Sequence, residues 1–152
     1  MSEESLITQE LKDILGKERV VATYEVERGA IRKLAAAIED PNPLWQDEQY
    51  ANKTRYGGII APPTFINGIR YPEFHDDLMK YSGLKRLLNG GVEIEYFEPI
   101  RPGDIITRKD KVIDACVRQG KQGPMLFEVC QLDYVNQHDK LAVRVLQTII
   151  LH

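Results

Sequence analysis

The chain is poor in the residues that announce several kinds of chemistry. It has two cysteines, Cys116 and Cys130, too few and too widely spaced for a zinc framework, and in a reducing compartment they read as buried thiols without a role. It has no basic excess: 20 Lys and Arg against 23 Asp and Glu give a net charge of -3, so no positive field waits for a nucleic-acid backbone. No apolar run approaches the roughly 20 residues needed to span a bilayer. Met1-Ser2-Glu3-Glu4-Ser5 is acidic and without the regions of a signal peptide, so a cytoplasmic protein with no membrane contact is expected. Gly-rich phosphate loops, a Ser/His/Asp set and a nucleophilic-Cys signature are all missing. Nucleotide-dependent and covalent mechanisms therefore have no support, and neither a cofactor nor a metal is expected.

What is present is a chain of 152 residues, 43% hydrophobic, with no compositional break, internal repeat or low-complexity segment. This fits one domain over residues 1–152, with 1–18 as an N-terminal helix and lead-in, able to bury about two thirds of its unfolded surface. Ser5 is the expected N-cap of a helix from Leu6 to Leu15 that Gly16 closes. Val20 to Val26 reads as a strand, and Ile31, Leu34, Ala35 and Ile38 recur at helical spacing. A short helix over 47–53 and another from about Pro63 to Arg70 follow, Pro62 and Pro63 fitting a first helical turn. From Gly91 the period becomes two, giving strands near 91–99, 104–117, 125–136 and 140–151. Both faces of the last strand are apolar, with Val143, Val145, Ile149 and Leu151 on one and Ala142, Leu146 and Ile150 on the other. A covered second face, and hence dimerisation, is expected from that pattern.

The most informative segment is Asp40-Pro41-Asn42-Pro43-Leu44-Trp45. The prolines fix φ and push the residues before them into extended conformations, so Asp40 stands at a rigid corner beyond a helix end. Read alone, the hexapeptide serves equally as a simple turn, a common use of Asp, Asn and Pro.

The hexapeptide resembles the Asp-x-Asn-Pro-aliphatic-His signature of the MaoC-like (R)-specific enoyl-CoA hydratases and 3-hydroxyacyl dehydratases. Two further segments, Thr54 to Phe65 and Asn89 to Asp104, resemble that family in the same order, so the likeness runs from about Val20 to the C-terminus. It implies an α+β hotdog fold, a five-stranded antiparallel sheet wrapped around a central helix. In the family, Asp and His form the catalytic pair and a backbone N–H at the start of the central helix polarises the thioester carbonyl. Carried over residue by residue, Asp40 is the catalytic candidate, and Trp45 occupies the His position. An indole N–H donates but cannot take up a proton near neutral pH. The family's His-Gly at the helix start falls on Ala61-Pro62, and proline has no N–H to donate.

The resemblance is closest to half-domains that lack the catalytic His. It implies a subunit of an acyl-CoA or acyl-carrier-protein hydratase or dehydratase, a hydro-lyase of fatty acid metabolism, working beside a second MaoC-like hotdog subunit that supplies the missing pair. Asn42, Tyr56, Gly57, Gly58, Ile59, Ala61, Thr64 and Phe65 would then bind substrate, and ordinary core and loop is an equal reading of each. Two alternatives stay open. One is a self-sufficient homodimeric hydratase or thioesterase using Asp40. The other is an acyl-thioester-binding or assembly module that performs no reaction.

The remaining polar groups carry less. His138 falls in a predicted hairpin turn and His152 at the last position, while His75, beside Asp76 and Asp77, is the one histidine that could fold back toward the corner; a solvated polar residue is its simpler reading. Glu73, Asp76 and Asp77 read as surface charge, since no His/Cys spacing completes a ligand set. Lys80, Lys85 and Arg86 form a local basic cluster that a phosphate of coenzyme A or of a carrier protein could meet; helix surface is the simpler reading.

Overall fold

The computed structural model describes residues 6–69, 79 and 82–152. Ser5, Glu73, His75, Asp76, Asp77 and Lys80 lie outside the described residues. The chain runs through α1 (Gln9–Ile14), β1 (Arg19–Glu25), α2 (Arg28–Ala37), a 3₁₀ turn (Pro43–Trp45), α3 (Glu48–Asn52), α4 (Phe65–Gly68), β2 (Leu87–Tyr96), β3 (Ile105–Gly120), β4 (Gly123–Val135) and β5 (Leu141–Leu151). The strands form a five-stranded sheet in the order β1-β3-β4-β5-β2, every neighbouring pair antiparallel.

Opposed residues in antiparallel strands share a face, so the register fixes which side is the core. The pairs Leu132↔Val145 and Tyr134↔Val143 join Ile106 on the inner face, where α2 contributes Ile31 and Ala35, the 3₁₀ turn Trp45 and α4 Phe65 and Ile66. Further along, Leu126↔Leu151, with Val112, Cys130 and Ile149, packs against Leu11 of α1. Removing side chains such as Ile31, Leu126 and Ile149 fully from water stabilises the fold by about 1.5–3 kcal/mol each. The inner face is not wholly apolar. Asp110, fully buried, accepts two 2.7 Å hydrogen bonds from Arg108 Nε and Nη2, and Glu128 is almost as deeply buried.

Several boundaries differ from the sequence expectation. The first helix is shorter, Gln9–Ile14, with the Thr8 side chain accepting from Leu11 N–H as its cap. β2 begins at Leu87, ahead of the expected start near 91, and carries a bulge at Asn89-Gly90-Gly91 inside the strand; a Cβ on Gly90 would lie 3.0 Å from Ile150. The β3–β4 ladder continues to Gly120↔Gly123, leaving a two-residue turn at Lys121-Gln122 where a longer loop was expected. Val143, Val145, Ile149 and Leu151 face this chain's own core; on the second face Ala142 is buried, and Leu146 and Ile150 are half-buried. The exposed large apolar side chains cluster instead on the edge strand β2 and just after it, at Leu87, Leu88, Val92, Tyr96 and Phe97. Among the described residues no helix is long and apolar enough to cross a membrane.

Candidate active-site corner

The corner begins one residue before the prolines. α2 ends with Ile38 as its C-cap, and Glu39 adopts φ 53°, in the left-handed region. Glu39 N–H bonds to Ala36 C=O and Asp40 N–H to Ala35 C=O, the pair of bonds that satisfies the last carbonyls of a helix ending in this way. The chain then swings out with Asp40 at its bend. Asp40 Oδ1 accepts from Asn42 N–H at 3.0 Å, and Asn42 Oδ1 accepts from Leu44 N–H at 3.0 Å, capping the 3₁₀ turn.

The remaining carboxylate oxygen is also engaged. Trp45 Nε1 donates to Asp40 Oδ2 at 2.9 Å. Trp45 is 6% exposed and packs in the core, so its indole is held rigidly against the carboxylate. A charge-assisted bond of this kind stabilises by about 1.5–3 kcal/mol. Chemically the pair is one-sided: the indole supplies a proton to a hydrogen bond but has no lone pair to receive one. Asp40 is thereby fixed in the manner of a structural clamp, and no second proton-transfer group meets it among the described residues.

A cavity of about 330 Å³ opens beside the corner. One side is Leu44, Trp45, Tyr56 and the segment Ile60 to Pro63; the other is Tyr96 to Ile100, which links β2 to β3, with Val143 from β5 and Arg55 also on the lining. The helix-start side offers little to an oxyanion. Ala61 N–H is already bonded to Ile100 C=O at 2.8 Å, and Pro62 and Pro63 have no N–H. Tyr56 is anchored at both ends, its carbonyl accepting from Arg101 Nη2 and its hydroxyl from Arg55 Nη2, each at 2.7 Å. The Tyr56 hydroxyl raises the pKa of the exposed Arg55 guanidinium, which lies 4.9 Å from the Tyr56 ring centre and keeps a cation at the cavity. Tyr96 O–H donates to Pro63 C=O at 2.9 Å, tying the two walls together, and burial raises its pKa.

Of the residues singled out from the sequence, Trp45, Tyr56 and Ala61 line this cavity. Asp40 and Asn42 form the clamp behind it. Ile59 and Phe65 are buried in the core cluster, Phe65 edge-to-face with Tyr24 at 6.2 Å between ring centres. Thr64 is exposed ahead of α4, Gly57 takes φ 62° in the loop after α3, and Gly58 sits near Arg101 and Asn52. The wall from Tyr96 to Ile100 and the cation Arg55 were missed. Pro99 and Pro102, which keep that link out of the sheet, were the signal in the sequence. His138 is exposed in the β4–β5 turn, where Gln137 Nε2 lies 3.3 Å from its Nε2. Among the described residues no group of three or more His, Cys, Asp and Glu is placed to hold a metal ion.

A five-stranded antiparallel sheet of this order, with its short helices on one face and Asp40 followed by Pro41 at the bend, defines a MaoC-like hotdog protein. Residues 14–145 match the family described as FAS1-like, dehydratase domain region, and the chain belongs to that family. A UPF0336 protein of Thermobifida fusca is 34% identical over 113 residues, which are 68% of this chain and 70% of that one. The MaoC-like dehydratase from Rhodospirillum rubrum superposes with a TM-score of 0.70 and 26% identity over 93% of this chain and 94% of its own. A chain of the C-terminally truncated HadBC (3R-hydroxyacyl-ACP dehydratase) complex from Mycobacterium tuberculosis shares the fold, with a TM-score of 0.70 and 20% identity over 91% and 97% of the two chains.

Proposed function

We propose that this chain is the non-catalytic partner in a two-subunit hydratase or dehydratase of acyl thioesters, shaping the acyl-binding channel while a second MaoC-like hotdog subunit supplies the Asp/His pair. The observation that carries this reading is the 2.9 Å bond from Trp45 Nε1 to Asp40 Oδ2, which fills the place of an acid–base couple with a donor that cannot accept. The occupied Ala61 N–H and the two prolines remove the carbonyl-polarising donor over the same stretch. Two losses in one site, in a pocket that keeps its apolar walls, support binding without chemistry.

The second subunit is supported by the edge strand. Among the described residues no strand pairs with the outer side of β2, and a row of its apolar side chains is exposed, features that a partner would cover. The HadBC structure is a complex, and its fold likeness makes a two-subunit arrangement a natural frame for this chain. The ligand is an acyl thioester, of coenzyme A or of a carrier protein, with the acyl part in the cavity of about 330 Å³ and Arg55 beside it.

The test uses this chain mixed with an intact MaoC-like subunit, following enoyl-thioester absorbance across acyl lengths. The mixture is expected to turn over longer acyl chains than the intact subunit alone. Ile60→Trp, which fills the pocket, is expected to shorten the accepted range. A partner indifferent to both the chain and the variant would refute the reading.

A further inference from the structure

Successive side chains of a strand alternate between faces, so the residues between the core positions stand on the outer face of the sheet. Strand pairing lines them up in rows across β3, β4, β5 and β2. One row reads Lys109, Asp133, Arg144, Glu95 and the next Lys111, Gln131, Leu146, Glu93. Beyond the pair Val129↔Thr148 lies a row of apolar residues, Cys116, Phe127, Ile150, Leu88. Water reaches this face: Leu88 is 53% exposed, Glu93 and Glu95 are exposed, and Lys111, Phe127 and Ile150 are half-buried. Arg118 lies over the Phe127 ring at 4.6 Å, at the rim of the apolar row. The middle of the charged row is fixed in advance, Arg144 Nε and Nη2 each donating to Asp133 at 2.7 Å and Gln131 Nε2 at 2.9 Å.

The order of the charges is its own complement. From β3 to β2 the first row runs plus, minus, plus, minus, so its signs invert about the line between β4 and β5. A second copy turned over about a two-fold axis along that line lays the row on itself in reverse. Lys109 then meets Glu95, Asp133 meets Arg144 and Lys111 meets Glu93, while Phe127 meets Ile150 in the apolar row. An axis running across the strands would instead set charged rows on the apolar one. A closed dimer needs a surface of this self-complementary kind, and packed sheets keep their strands within about 30° of each other, as this axis requires. The four rows cover roughly 20 Å by 25 Å, on the order of 500 Å² from each copy. A total on the order of 1,000 Å² is the size at which specific interfaces begin.

We propose that this outer face is an interface between two copies of the chain, related by a two-fold axis along the boundary of β4 and β5. The apolar row supplies the burial, and the charged rows fix the register. A different partner would have to carry the same pattern of signs, which this chain already carries. A subunit on the edge of β2 would extend the sheet sideways and leave the outer face open, so the inference does not rest on the proposed function.

Lys111 and Glu93 of one chain stand three strand spacings apart, about 14 Å, too far to pair with each other. Charge reversal at these positions therefore reads the contact between copies. Sedimentation equilibrium of the full chain at low salt is expected to show a monomer–dimer equilibrium. Lys111→Glu and Glu93→Lys, each taken alone, set like charges face to face twice in every dimer and should weaken association by about tenfold or more. An equimolar mixture of the two variants puts opposite charges at both contacts and should associate more tightly than either variant by itself. Phe127→Asp should leave a monomer; the two reversals carry the test should that variant fail to fold. A parent chain that stays monomeric up to millimolar concentration would overturn the interface. So would a dimer indifferent to both reversals, which would belong to the β2 edge or another surface, or a mixture no tighter than its separate components. None of these measurements involves turnover, so they stand apart from the outcome at the corner.

Discussion

Glu39 carries the first strain in the molecule that matters to the corner. Its φ of 53° costs a side chain with Cβ on the order of 1 kcal/mol, which glycine would avoid. Glu39→Gly is expected to raise unfolding stability by up to about 1 kcal/mol in urea titration. The neighbouring clamp has the opposite sign. Trp45→Phe keeps most of the packing and removes the N–H, so it should lower stability by about 1–3 kcal/mol, and Asp40→Ala by a similar amount. Because they cut the same bond, the double variant should cost less than the sum of the two, a coupling that a double-mutant cycle measures. Both residues were legible in the sequence as a rigid corner with a donor in place of a base. The bond between them was not, since nothing in residue spacing says that an indole five positions on will turn back to the carboxylate. Glu39 was missed for a related reason: glutamate is no turn residue, and the helix-ending bonds, not its own preference, hold it there.

At the scale of the elements, β4 holds the group with the clearest pH signature. Burial raises the Glu128 pKa from the ordinary 4.5 to about 7, and one carboxylate oxygen has no hydrogen-bond partner among the described residues. On the same strand Cys130 is pushed up to about 12, by burial first and then by the Glu128 and Asp110 charges. The sign follows from linkage. Below pH 4.5 Glu128 is protonated folded and unfolded alike; between about 4.5 and 7 the unfolded chain releases the proton while the folded chain keeps it, so stability falls. Above about 7 the penalty is constant, on the order of 3 kcal/mol. Glu128→Gln should therefore lose less stability than the parent as pH rises from 5 to 8, read by denaturant titration at each pH.

The strands themselves were largely legible, because alternation of apolar residues survives in any one sequence. β2 was expected from near 91 and begins at Leu87, because the bulge at Asn89-Gly90-Gly91 interrupts the alternation that marks a strand. The helix Phe65–Gly68 is shorter than Pro63 to Arg70, its described part ending before the expected boundary.

Across the whole molecule, the sheet gathers what the sequence scatters. The cavity beside the corner joins residues near 44, 56, 61, 97 and 143, and no local pattern relates positions so far apart. Fold and corner were therefore readable while the far wall was not. The same topology puts β2 at the edge of the sheet, with no strand on its outer side among the described residues. The central claim is that Asp40, held by Trp45, meets no second proton-transfer group among the described residues. The most direct measurement is enoyl-thioester hydration by the purified chain with no other protein present. The expected result is a rate no greater than the uncatalysed reaction and unchanged in Asp40→Asn. Full turnover by the pure chain, abolished by that substitution, would contradict it.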